Sequence, residues 1–497
     1  MQHKDVFELL GILNASEKER LAFVINSKRR KGTNTNDLIL YLLSQTKLPS
    51  KQDVYNGLDK KGYPFTEEGY QRMIARAYSD VLDFLNDFIQ KGTKEFEEID
   101  TVKIQILQKA TLLQFLIAKK SKISLVATLR EEIIKSATEF EFYPLLIEQL
   151  YLKKHESSLV DGENAYFEFE EMIAHFEMCS YWFRKASELF NLFKMKSLKT
   201  TVHSDKIFGK LLKENIGILI EGYKISNSPT VKYFLFQHQL SLLYLNKNYI
   251  KAKQKCLEMK KLVEENKSIN RVARISIIYD NLAKYDTYLS NYSEAIIWSK
   301  KAQECFGNES RNYWVSFEQE FLINVYGQNF SRAEEILTQI FNGKQKDKND
   351  FERNTLLFYQ AILFFKNEDF KKALAIFSER NEMSQDSTGW DFWARIISIY
   401  LNVLLGNEDV ASKGVLNIKK QIQRISKNTD FRERDMIVFE IFLQLSKKGF
   451  STFQPIAKIE LLLTKLKETK NQWKPFTAEV IPFEKLFSMK YKKYAIL

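Results

Sequence analysis

The chain has 497 residues, of which 44% are hydrophobic and 28% charged, and its formal net charge is +12. This composition is ordinary for a globular protein with a long continuous core. The three cysteines lie far apart in the sequence, which argues against a disulfide framework. No apolar run approaches the roughly 18 residues that a membrane span needs. Because the N-terminal sequence also lacks the apolar core of a signal peptide, we expect a cytoplasmic protein.

The N-terminal half is predicted to contain two helical regions. Residues 1–95 form a helical N-terminal domain that ends in a long helix over residues 66–90. Helical hairpins are predicted for residues 100–229. Within them, Glu163–Lys199 contains neither glycine nor proline, which indicates either one long helix or two adjoining helices.

Residues 230–425 carry a marker that recurs at intervals of 43, 38, 40 and 38 residues. At each place a small residue follows a turn, and at the first four an aromatic residue lies three positions earlier. No proline interrupts the chain between Pro229 and Pro455, which favours helices because proline breaks helix interiors. The pattern predicts helix hairpins in which a small side chain lets two backbones approach closely. The markers are Ala252, Ala295, Ala333, Ala373 and Ala411.

The most regular unit, residues 274–307, resembles a tetratricopeptide repeat (TPR). Leu282 lies on its first helix and Tyr292 follows its turn, while Ala295 and Ala302 share one face of the second helix. A TPR is a helix–turn–helix unit of about 34 residues. The resemblance implies an all-α fold, a right-handed α-solenoid of TPR-like helix hairpins with a helical N-terminal domain. It implies no particular activity.

The segment LREEIIKSATEFEFYPLLIEQLYLKK, residues 129–154, extends the resemblance. With its short helical N-terminal domain and its later hairpins, the chain is similar to a group of uncharacterised bacterial helical-repeat proteins. This second resemblance implies architecture alone.

The C-terminal region, residues 426–497, is predicted to hold basic capping helices and a tail. Residues 412–497 contain 18 lysines and arginines against 8 acidic residues. Pro475 and Pro482 bracket an extended segment, and residues 483–491 fit a short amphipathic helix. Capping of the last repeat is the favoured role of this tail, since a solenoid needs a polar end. Docking to a partner or to a membrane surface is the alternative.

The sequence contains no motif of a known catalytic site. Phosphate-binding glycine loops, the zinc motif HExxH and the nucleophile elbow GxSxG are absent, and the five histidines show no ligand spacing. Glu171 and His175 lie four residues apart on a predicted helix, which is commonplace on helix surfaces. We therefore predict a protein that is not an enzyme and has no catalytic residue, cofactor or metal.

A binding surface is the better prediction. In TPR arrays the first helices of the hairpins line the concave face, and counting back from the marker alanines places particular residues there. This face is polar in its middle and aromatic toward the C-terminus, although the chain's own C-terminal helices are an equal candidate to fill the aromatic half. The predicted partner-binding residues are Gln237, Asp280, Lys284, Tyr288, Glu318, Phe358, Phe365, Trp393 and Tyr400.

These observations predict a non-catalytic protein-interaction scaffold or regulator that binds a protein or peptide in the concave face. Two alternatives stay open. The basic C-terminal region would suit a nucleic-acid-associated protein, and a ligand that altered the curvature of the solenoid would make the chain a peptide-sensing regulator. The oligomeric state is not predicted.

Overall fold

The computed structural model describes most of the chain, and its described residues form α-helices and no β-strand. The described ranges are 2–27, 34–59, 66–90, 97–120, 123–199, 205–307, 310–343, 350–379, 388–425, 431–450, 457–468 and 471–490. The predicted all-α fold of TPR-like helix hairpins is confirmed. The chain forms two compact units, Met1–Ser136 and Ala137–Leu497.

The first unit has a core built by its first five helices. Val6, Leu38, Val54 and Ile74 lie on different helices and are completely buried together. The predicted long helix over residues 66–90 is confirmed, and the N–H of Gly69 donates to the Thr66 hydroxyl at its start. The helices are α1 (His3–Gly11), α2 (Ala15–Ser27), α3 (Asn34–Leu43), α4 (Lys51–Asp59), α5 (Glu67–Gln90), α6 (Glu98–Ala118) and α7 (Ile123–Glu139), which continues into the second unit.

The second unit is a succession of helix hairpins. Glu163–Lys199 is a single helix of 37 residues, which decides between the two alternatives left by the sequence. The helices are α8 (Tyr143–Asp161), α9 (Glu163–Lys199), α10 (Asp205–Ser226), α11 (Pro229–Leu245), α12 (Tyr249–Glu265), α13 (Val272–Tyr288), α14 (Tyr292–Phe306), α15 (Arg311–Tyr326), α16 (Phe330–Asn342), α17 (Asp350–Lys366), α18 (Phe370–Glu379), α19 (Trp390–Leu404), α20 (Glu408–Ile425), α21 (Glu433–Ser446), α22 (Ala457–Lys467) and α23 (Phe483–Lys490).

The same turn joins the two helices of successive hairpins. In the α13–α14 turn, Ser290 has a φ of +61°, and the next N–H, of Asn291, donates to the carbonyl of Asp286 at 2.8 Å. This is the six-residue hydrogen bond of a Schellman motif, which ends a helix through one residue in the left-handed region. Lys247, Gln328, Glu368 and Gly406 have positive φ at the equivalent positions of the neighbouring hairpins. Each turn is therefore fixed by residues close together in the sequence.

The marker alanines lie where the hairpins pack most tightly. All five are fully buried, with 0% of their surface exposed. Ala295 of α14, for example, packs with Ala283 of α13 and Ile323 of α15. A larger side chain at such a position would separate the helices, so the recurring small residue sets the spacing of the stack.

Candidate peptide groove

Residues 471–487, here named the C-terminal strap, lie against the first helices of the hairpins, which form a groove from α13 to α21. Tyrosine hydroxyls bind the backbone of the strap. Tyr288 of α13 donates to the carbonyl of Pro475 at 3.3 Å, and the N–H of Phe476 donates to the hydroxyl of Tyr326 at 2.8 Å. Further along, Tyr400 of α19 donates to the carbonyl of Leu486 at 2.5 Å. The groove thus holds the strap partly through its main chain, which is irregular at Pro475 and Phe476 and helical at Leu486, in α23.

Aromatic rings hold residues 473–476, here named the tip of the strap. The ring centroids of Trp473 and Tyr326 are 5.2 Å apart in an edge-to-face arrangement, and Phe476 lies edge-on at 5.7 Å from Tyr326 and 6.0 Å from Tyr288. The indole N–H of Trp473 donates to the carbonyl of Glu479 at 2.7 Å, which folds the strap back on itself. Edge-to-face pairs of this kind add about 1 kcal/mol beyond their buried area.

A buried ion pair holds the middle of the strap. The guanidinium of Arg434, on α21, donates to both carboxylate oxygens of Glu479 at 2.6 Å, to those of Glu484 at 2.7 and 3.1 Å, and to the carbonyl of Asn471 at 2.7 Å. Only 8% of the Arg434 side chain and 2% of that of Glu479 are exposed. Burial raises the pKa of Glu479 to about 7, against the opposing effect of Arg434. Glu479 and Glu484 thus supply the carboxylates that pair with the buried arginine.

The N-terminal end of the groove is open. A cavity of about 320 Å³ lies among α9, α10, α11 and α13. Its polar groups include the amides of Gln237 and Asn281, and the ammonium of Lys284 lies 4.1 Å from the centre of the Tyr244 ring. The lining residues are Phe193, Phe208, Gln237, Leu240, Ser241, Tyr244, Leu245, Asn281, Lys284 and Tyr285.

A group of tyrosines separates this cavity from the strap. The hydroxyls of Tyr244 and Tyr288 are 2.8 Å apart, and Tyr249 stacks on Tyr288 with ring centroids 4.3 Å apart. Burial raises the pKa of Tyr288, so its hydroxyl stays protonated and is able to donate to the strap. Tyr244 lines the cavity while Tyr288 contacts Pro475, so the two sites share one wall.

The polar residues among the predicted partner-binding residues lie in different surroundings. Gln237 and Lys284 line the cavity, and Tyr288 contacts the strap. Asp280 lies next to the cavity-lining Asn281 in the sequence; its Oδ1 has no hydrogen-bond partner among the described residues, and burial raises its pKa to about 6. Glu318 accepts a hydrogen bond from the hydroxyl of Tyr359 at 2.7 Å.

The aromatic members lie in the hydrophobic core. Phe358, Phe365 and Trp393 are fully buried, and Tyr400, also buried, binds the strap. In this conformation a partner has no access to these four side chains. Trp393 donates to Asp435 of α21 and Tyr400 to the strap, so the chain's own C-terminal region covers this part of the aromatic half, which was one of the two alternatives that the sequence left open. The role of Phe358, Phe365 and Trp393 as partner contacts stays a prediction.

Sequence reasoning missed Tyr326 and Arg434. A signal for Tyr326 existed: it lies three residues before the turn residue Asn329, as Tyr288 lies three before Asn291. The contacts of Arg434 with the strap had no such signal, since nothing in the local pattern shows which acidic residue it meets. The predicted short helix near residue 483 is confirmed as α23.

A separate polar cleft of about 440 Å³ is lined by His175 and Cys179, two residue types that are common in catalytic sites. The sulfur of Cys179 is 3.5 Å from Nε2 of His175, but burial raises the pKa of the thiol and disfavours the reactive thiolate. The neighbouring carboxylate of Glu141 accepts hydrogen bonds from Ser228, Thr230 and Tyr143. This geometry provides a satisfied structural carboxylate and no activated nucleophile.

The part of the chain that the structure describes contains no cluster of histidine, cysteine and acidic residues that could hold a metal ion. Its helices include none that is both long and apolar enough to cross a membrane.

Comparisons with known proteins give fold-level likeness only. No protein family and no curated protein matches the sequence. The fold is of the TPR-like helical-repeat type. Among solved structures, RapI in its apo form is similar over 64% of this chain and 85% of its own, at 13% identity and a TM-score of 0.44.

A second solved structure is a signal-transduction ATPase with numerous domains from Pyrococcus horikoshii, which carries a tetratricopeptide repeat sensor. The similarity covers 98% of this chain and 66% of that one, at 12% identity and a TM-score of 0.29. At such low scores neither likeness bears on function. The TPR-like description rests on the repeated hairpins, turns and buried alanines of this chain.

Proposed function

We propose that the chain is a non-catalytic protein-interaction scaffold or regulator whose groove binds an extended segment of another protein. The observation that carries this proposal is the binding of the non-helical backbone of the strap, at Pro475 and Phe476, by the hydroxyls of Tyr288 and Tyr326. Hydrogen bonds to a main chain provide affinity for an extended segment, and side-chain contacts add specificity. The first helices thus have the chemistry of a peptide-binding surface.

The open cavity gives a partner its first point of contact. The amide of Asn281 and the ammonium of Lys284 offer hydrogen-bond donors beside the apolar surface of Phe193 and Leu240, while the amide of Gln237 already donates to the hydroxyl of Tyr233. Such a mixture suits a peptide that presents a carbonyl or carboxylate group together with an apolar side chain. It gives no group to activate a substrate, in keeping with a binding role.

Site-specific photocross-linking in the cells that naturally produce the protein tests this proposal. The full-length chain would carry photoreactive benzoylphenylalanine in place of Asn281, which lines the cavity. A matched control would carry it in place of Lys300, an exposed residue on α14. We expect discrete protein adducts from position 281 that position 300 does not give. No adduct at position 281, or the same adducts at both positions, would contradict the proposal.

A further inference from the structure

We infer that the groove binds, in place of the strap, a segment of another protein with the strap's own chemistry: aromatic residues on either side of a proline, followed by a carboxylate. In the strap these are Trp473, Pro475, Phe476 and Glu479. This inference rests on the proposed function and names the class of partner.

The aromatic part of the pattern follows from the surface beneath the tip. Phe476 packs on the cluster formed by Ala283, Ala295 and Ile323, between α13 and α15, and Trp473 packs on the core that continues from α15. The small alanine side chains leave room for a ring at this point. A competing segment therefore needs a large apolar side chain to cover the same surface, since water would otherwise contact it.

The acidic part of the pattern follows from charge. Arg434 is nearly buried, and the carboxylates of the strap neutralise it. Removing those carboxylates without replacement would leave a buried charge unpaired, which costs several kcal/mol. Burial and the nearby Lys485 lower the pKa of Lys366 on α17, so this part of the groove also disfavours added positive charge. An acidic segment therefore pairs with Arg434 and adds no positive charge beside Lys366.

The strap contains features that weaken its own binding. Phe476 has a φ of +58°, a conformation that costs a residue with a side chain about 1 kcal/mol. Lys485 brings a second positive charge toward Lys366. A segment that keeps the aromatic and acidic groups, has an unstrained backbone and lacks this lysine would compete, even though the strap is tethered at an effective concentration in the millimolar range.

A labelled peptide with the sequence of residues 471–487 tests the inference on the full-length protein. The double variant Trp473→Ala, Phe476→Ala weakens the strap and leaves the groove intact. We expect fluorescence anisotropy to show that the peptide binds the variant at least ~10-fold more tightly than the wild type, because the tethered strap no longer competes. A peptide with Glu479→Gln should bind about 10-fold more weakly, since it cannot neutralise Arg434.

The outcomes separate this inference from the proposed function. A scrambled peptide that binds as tightly would overturn the inference and leave the proposed function standing, whereas failure of every peptide to bind the variant would count against both. A mixed dimer of variant and wild type, detected by light scattering, would mean that another copy supplies the segment, and the inference would be wrong.

If the double variant does not fold, a second measurement on the wild-type protein tests whether the peptide displaces the strap. Wild-type protein would be mixed with about 1 mM of the peptide, a concentration comparable to the effective concentration of the tethered strap. The peptide would carry heavy isotopes, so that its mass distinguishes it from the same residues of the protein. Displacement predicts faster hydrogen exchange in residues 473–483 of the protein. Unchanged exchange would overturn the inference.

Discussion

Replacing Arg434 by methionine should detach the strap while the hairpins stay folded. The change removes the hydrogen bonds to Glu479, Glu484 and the carbonyl of Asn471. Glu484 is one-third exposed and is able to reach water. In the bound strap, the Glu479 carboxylate would keep the hydrogen bond from the N–H of Phe483 but would lose its charged partner while still buried. Breaking one side of such a pair costs about 3–5 kcal/mol. Hydrogen exchange of residues 473–487 should accelerate by the corresponding factor of at least ~100.

The double variant Arg434→Met, Glu479→Met should recover much of this loss, because replacing a whole buried ion pair by apolar residues removes the desolvation cost of both charges. A control is Lys458→Met, which breaks an ion pair with Glu440 whose lysine is 57% exposed and should cost less than ~1 kcal/mol. Exchange of the strap that stayed at the wild-type rate in Arg434→Met would refute the reasoning. A double variant as damaged as the single one would refute its electrostatic part.

Further predictions concern pH, turns and packing. The pKa of Asp280 is raised from 3.8 to about 6, so the native state binds its proton more tightly than the unfolded state and loses stability as pH rises through that range. Asp280→Asn should therefore stabilise the protein by about 2 kcal/mol at pH 8 and by little near pH 4, as measured by urea denaturation. Ser290→Gly should leave the melting temperature unchanged or raised, since φ is +61°, whereas Gly406→Ala, at φ +80°, should lower stability by about 1 kcal/mol. Ala295→Leu should cost about 1–3 kcal/mol through overpacking, whereas Leu at the exposed Ala273 should change the unfolding midpoint very little.

The repeats were predictable because their determinants are local. A buried alanine such as Ala333 recurs after each turn because two neighbouring helices meet there, and the aromatic residue before it begins the second helix of its hairpin. These features lie within one hairpin, so a single sequence displays them. Whether Glu163–Lys199 forms one helix was harder to decide, because the choice depends on packing against α8, α10 and α11, which the local sequence does not show.

The site was only partly predictable because its contacts are distant in the sequence. Tyr288 and Pro475 are separated by 187 residues, and Tyr326 and Phe476 by 150. Counting positions back from Ala411 placed Trp393 on the concave face. The polar residues Arg395, Ser398 and Asn402 share one face of α19, and Trp393 lies on the apolar remainder of the helix. That pattern was the available sign that Trp393 is buried.

The difference between local turns and distant strap contacts has a consequence for how the protein assembles. Each hairpin closes through a turn of a few residues, and such contacts form quickly because little chain entropy is lost. The strap follows α13–α21 in the chain, so on the ribosome these hairpins emerge before the segment that fills their groove. A newly made molecule therefore passes through a stage in which the tyrosines of the groove are uncovered. The groove that we propose to bind a partner is thus most accessible during synthesis.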